Sequence, residues 1–83
     1  MKIIKETKIK ENVEFKFDNG AWVSINSDTW ECQSDEDDDE SYCSGGLWFE
    51  EKNLVDYDGC FELPKEVKMA LIHLGYNLQE INI

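Results

Sequence analysis

Arginine is missing from this 83-residue chain, proline and histidine occur once each, and no apolar run exceeds a few residues. Without a guanidinium there is no planar fork to grip carboxylate or phosphate in two places, and all positive charge rests on lysine. No stretch approaches the roughly 20 apolar residues of a membrane span. Nor does Met1-Lys2-Ile3-Ile4-Lys5-Glu6 open a signal peptide, so a soluble, cytoplasmic protein is expected. The cysteines, Cys32, Cys43 and Cys60, are three in number and contain no C-x-x-C pair. An odd, irregular set does not make a secreted disulfide framework or a zinc site, and core thiols in a reducing compartment are expected. His73 stands on a predicted helix with nothing around the cysteines to suggest a Cys-His nucleophile. With no metal or cofactor expected and little room for a substrate cleft, catalysis is not expected either.

What the chain has in excess is negative charge. Ser34 to Ser41 holds six successive acids, Asp35, Glu36, Asp37, Asp38, Asp39 and Glu40, with no base among them. Adding Asp28, Glu31, Glu50, Glu51, Asp56, Asp58 and Glu62 gives thirteen acids between residues 28 and 62, against Lys52 alone. That segment carries −12 while the flanks sum to +1, so the formal net charge of −11 lies wholly in the middle of the chain. Such a charge repels phosphates and anionic membrane surfaces, so neither nucleic acid nor membrane is expected as a direct partner. A basic protein surface or a cation is.

High charge with low hydrophobicity often means disorder. Against that stand three Trp, three Tyr and four Phe. Trp30, Tyr42, Trp48, Phe49, Tyr57 and Phe61 all lie within the acidic segment and supply large payloads for burial. The acids are therefore expected on a folded surface. Concentrating like charge on a compact body costs stability, which points to a reason outside the fold.

The pattern along the chain predicts a single α+β domain over residues 1–83: a mostly antiparallel sheet of about four to five short strands, with one helix over residues 64–74 on one face. Residues 2 to 10 lean to strand. Val13, Phe15 and Phe17 alternate with polar residues, as do Ala21, Val23 and Ile25 beyond Asp18-Asn19-Gly20. A two-residue turn there mixes the faces. A three-residue loop with Gly20 left-handed pairs Phe17 with Ala21, Phe15 with Val23 and Val13 with Ile25, one apolar face. Thr29 to Gln33 reads as a strand, Ser44-Gly45-Gly46 as a turn, and Leu47-Trp48-Phe49 and Leu54 to Tyr57 as further strands. Pro64 suits the first helical position, Val67, Ala70, Leu71 and Leu74 recur at helical spacing, and Gly75 is a left-handed stop with Tyr76 folding back on Leu71. Leu78 to Ile83 reads as a last strand, with Ile81 and Ile83 on one side.

Asp35, Asp37 and Asp39 alternate as calcium ligands do, yet an EF-hand needs Gly at its sixth position and Glu at its twelfth, where this chain has Glu40 and Gly46. Same-side residues of a strand are about 6.6 Å apart. Phosphates of one DNA strand rise about 3.4 Å each along the axis, with a longer through-space step, so the two spacings are broadly similar. In size, charge and the clustering of Ser34 to Ser41, Glu50-Glu51 and Asp56-Tyr57-Asp58, the chain resembles the small acidic phage and mobile-element proteins that mimic DNA to block host defence nucleases, the anti-restriction and acidic anti-CRISPR proteins. The resemblance implies a stoichiometric inhibitor in the host cytoplasm, bound to the basic groove of a nucleic-acid-binding protein or nuclease complex. Its contact residues would be Asp35 to Glu40, Glu50, Glu51, Asp56 and Asp58, with Tyr42 and Trp48 as platforms for a partner's Arg or Lys. Two rival classes share the acidity: an immunity protein or antitoxin against one basic toxin nuclease, and an acidic regulatory domain without inhibitory role.

Overall fold

Phe15 and Phe17 share an inward face with Val23 and Ile25 only if three residues separate their strands, and the chain folds in that register. The computed structural model describes residues 2–35 and 37–78. Phe15 lies opposite Val23 and Val13 opposite Ile25. The Phe17 N–H donates to the Ala21 carbonyl at 2.9 Å, and Gly20 takes φ +91°.

The strands are β1 (Ile3–Ile9), β2 (Asn12–Phe17), β3 (Trp22–Asn26), β4 (Thr29–Gln33), β5 (Tyr42–Glu50), β6 (Asn53–Tyr57) and β7 (Asn77–Leu78), with α1 (Lys65–His73) between the last two. They form one seven-stranded sheet in chain order. Pairing is antiparallel throughout except β6 with β7, which is parallel because α1 intervenes as a crossover. The α+β class holds, and the sheet has more strands than expected. β1 shows no clean alternation because most of its residues are exposed on both faces, and β7 is two residues long. The expected positions of Ile81 and Ile83 lie outside the described residues.

Two expectations need correcting. Ser44-Gly45-Gly46 is not a turn but the middle of β5. A Cβ on Gly45 would stand 2.0 Å from the Asp58 carbonyl oxygen, and one on Gly59 2.0 Å from the Ser44 carbonyl oxygen. The glycines are there because backbone 58–59 crosses β5 at contact distance. Pro64 caps α1 from outside, with ψ 148°, instead of occupying its first turn. At the other end Gly75 has φ +97°, its N–H donates to the Ile72 carbonyl, and the Tyr76 N–H donates to that of Leu71 at 3.0 Å. That is a Schellman stop. The Tyr76 ring goes on to stack against Phe49 at 4.3 Å.

The core lies between the sheet and α1. Phe15, Val23, Trp30, Cys32, Leu47 and Leu54 from the strands meet Leu63, Val67, Ala70 and Leu71. Burying each large side chain contributes about 1.5–3 kcal/mol. Trp30 keeps its polar handle satisfied, donating Nε1–H to the Asp58 carbonyl at 3.2 Å. At the free margin Lys5 of β1 faces Lys16 of β2, a like-charge pair that discourages added strands.

Candidate functional site

The acidic run joins β4 to β5, and two neutral residues at its ends hold it. Gln33, 9 % exposed, donates Nε2–H to the carbonyls of Asp35 and Asp38, both at 3.0 Å, while its Oε1 accepts from Trp22 Nε1 at 3.1 Å. Ser41 Oγ donates to the Asp38 carbonyl at 2.7 Å and accepts from the Asp35 N–H at 3.1 Å. The Asp35 and Asp38 carbonyls thus point into the loop. The Asp35 carboxylate accepts from the Asp37 N–H, and that of Asp38 from the Glu40 N–H, capping the 3-10 turn Asp39–Ser41. Asp35, Asp37, Asp38, Asp39 and Glu40 are exposed, and Glu36 lies outside the described residues. The sequence signalled the acids but not the clamp, because Gln33 and Ser41 act on backbone atoms that any residue carries. Gln33→Ala should take one donor from each of the Asp35 and Asp38 carbonyls, which keep the Asp38 and Ser41 N–H groups, and should leave Trp22 Nε1 without its acceptor, at a cost of about 1 kcal/mol and with faster amide exchange at the loop residues while the sheet stays intact. Unchanged exchange there would show that the loop does not depend on Gln33.

β5 is the spine of the site. Tyr42, Ser44, Gly46, Trp48 and Glu50 alternate outward, with Cys43, Gly45, Leu47 and Phe49 toward the core. The Tyr42 hydroxyl donates to the Glu31 carboxylate, a bond that holds the phenol above its usual pKa. Glu31 in turn sits opposite Ser44. The Tyr42 ring lies 6.1 Å from that of Trp22 and is 44 % exposed, so it is tied to its neighbours on one side and open on the other.

Farther along, the Asp58 carboxylate accepts from the Gly46 N–H at 2.6 Å. A Cβ on Gly46 would meet the Trp48 ring at 3.2 Å and the Asp58 carboxylate at 3.4 Å, so ring and carboxylate share the space over that glycine. Asp56 faces Trp48 in register, and Glu50 and Glu51 end the strand at a turn where Glu51 has φ 59°. From the clamped loop the acids therefore follow β5 on both sides: Glu31 on β4 opposite Ser44, Asp58 over Gly46, Asp56 on β6 opposite Trp48, then Glu50 on β5 itself and Glu51 just beyond it. Of the expected contact residues, Tyr42, Trp48 and Glu50 are on β5, Asp56 is on the neighbouring β6, Asp58 follows β6, Glu51 follows β5, and the described acids of the run lie in the loop before β5; Glu31 of β4 joins them. Asp58 also has a structural task, since it ties segment 58–59 to β5. Five lysines, Lys2, Lys5, Lys8, Lys10 and Lys16, belong to the β1–β2 end, three to four strands from β5.

Aromatic placement corrects one expectation. Trp30 is core and Trp48 is 51 % exposed, but Phe61, counted as burial payload, is fully exposed. It lies between β6 and α1 beside Glu62, where the Tyr57 hydroxyl donates to its carbonyl at 3.4 Å.

The thiols are core-facing. Cys32 lies opposite Cys43 across β4 and β5. Burial, reinforced by negative neighbours, pushes the Cys32 thiol up to about 12, and burial likewise raises Cys60. Raised thiols are poor nucleophiles. Among the described residues no group of three His, Cys, Asp or Glu side chains is placed to hold a metal ion. Nor is any described helix long and apolar enough to cross a membrane. Compared with known proteins, the chain matches no family model, no curated protein and no solved structure.

Proposed function

We propose that this protein is a stoichiometric inhibitor that offers carboxylates in place of nucleic-acid phosphates to the basic groove of a defence nuclease complex. The observation that carries the reading is the clamped loop of exposed acids, continued by Asp58 and Asp56 beside β5 and by Glu50 and Glu51 at its end. The loop at its head is held through backbone carbonyls, so its carboxylates are presented with little ordering left to complete on binding. Pre-organisation of this kind lowers the entropic cost of association. Concentrated around β5, the charge also steers a basic partner and speeds encounter.

The test is titration into DNA-cleavage reactions of a panel of restriction and CRISPR effector complexes. Inhibition of the susceptible enzyme should be complete near equimolar protein and relieved by excess nonspecific DNA. Raising salt from about 0.05 to about 0.3 M should weaken inhibition by roughly 10²-fold, because the contacts are screened ionic ones. Inhibition indifferent to salt and to competing DNA would overturn the reading.

A further inference from the structure

Among the described residues Phe61 is the one large apolar side chain that the fold leaves wholly in solvent, and it does so at a fixed place. On one side of it Cys60 is half-buried, its Sγ donating to the Glu62 carbonyl at 3.0 Å. On the other, Leu63 is buried in the core. The segment is therefore anchored on both flanks of the exposed ring, and the ring's exposure is not that of a frayed end. Asp58, whose carboxylate lies over Gly46 in the acidic line, is three residues earlier. Chain reach puts the two Cα atoms within about 11 Å. Glu62 follows directly.

A planar apolar ring with Asp58 before it and Glu62 after it in the chain alternates anion and ring as a single strand alternates phosphate and base. Grooves that take single strands combine lysines and arginines along the backbone path with aromatic side chains on which bases stack. Grooves that hold intact duplex by its phosphates offer no such pocket to a ring. We infer that Phe61 occupies a base-stacking pocket of the partner, and that the partner is a protein whose basic groove binds single-stranded or unstacked nucleic acid. The inference rests on the phosphate-mimicry reading and narrows it to one class of groove.

The experiment starts from the immobilised protein, a bacterial lysate and identification of what it captures by mass spectrometry. Affinities of the purified partner are then measured for the wild type, Phe61→Ala, Phe61→Trp and the lysine triple variant at Asp37, Asp39 and Glu51. Because the ring touches nothing inside the fold, Phe61→Ala should melt with the wild type. It should bind roughly 30-fold more weakly, as expected for a buried aromatic anchor, with Phe61→Trp within a few-fold of wild type. A deoxythymidine oligonucleotide of about 20 residues should displace the protein, and duplex of equal length far less. Full affinity of Phe61→Ala, equal competition by duplex, or Phe61-dependent self-association in place of partner binding would overturn the inference. Failure of the underlying reading is distinct: the lysine triple variant would then bind as tightly as the wild type.

Discussion

Replacing Asp37, Asp39 and Glu51 together by lysine should reduce inhibition by about 10³-fold, roughly 4 kcal/mol, while the protein stays folded. The three residues are exposed, and their carboxylates enter no hydrogen bond or ion pair among the described residues. Their loss removes nothing that holds the chain together. The change moves the formal net charge from −11 to about −5, which relieves self-repulsion, so the melting temperature should hold or rise. Two lie in the loop at the head of β5 and the third beyond its far end, so both ends of the acidic line become repulsive to a basic groove. Asp58 is left out because its carboxylate bonds the Gly46 N–H, and reversing it would confuse binding with folding. Matched Asn and Gln replacements, which remove charge without reversing it, should give an intermediate loss. Inhibition unchanged by the triple reversal would refute phosphate mimicry.

Gly45→Ala should produce the largest loss of stability. The added methyl would stand 2.0 Å from the Asp58 carbonyl oxygen and 2.8 Å from the Gly59 Cα, all backbone. That backbone has little freedom to withdraw: the Asp58 carbonyl accepts from Trp30, and its N–H donates to the Gly46 carbonyl at 3.1 Å. Relieving the clash means parting segment 58–59 from β5 and uncovering Trp30. A cost above about 4 kcal/mol is expected, a large share of the roughly 4–12 kcal/mol available to a domain of this length. Gly20→Ala is the control. Nothing lies within 4 Å of a Cβ there, so only the positive φ is strained and the cost should be about 1 kcal/mol. Urea unfolding followed by tryptophan fluorescence separates the two. Equal midpoints for both variants would mean that the crossing at Gly45 is not tight.

Those two substitutions mark where sequence reasoning reached and where it stopped. The β2–β3 register was legible because the faces of Val13, Phe15, Val23 and Ile25 admit one loop length, and the helix because its apolar stripe and Gly75 agree. The continuity of β5 through Gly45 and Gly46 was not. Its cause is a segment more than a dozen residues away, and a glycine looks the same whether it turns or makes room. The acids of the run were plain in the sequence, whereas their fixed arrangement depends on Gln33 and Ser41 reaching backbone carbonyls, which leaves no compositional trace. Phe61 was misplaced because apolar character predicts an interior position, and an aromatic held outward between a half-buried cysteine and a buried leucine breaks that rule.

The order of the sheet bears on how soon a freshly made molecule is ready. From β1 to β6 each strand lies beside the one emerging just before it, so pairing proceeds by short hairpins with small closure entropy and needs no distant segment. Only the lacing of 58–59 over Gly45 and the seating of α1 wait for later residues. The spine beside which the carboxylates are displayed hence pairs only with strands made before α1.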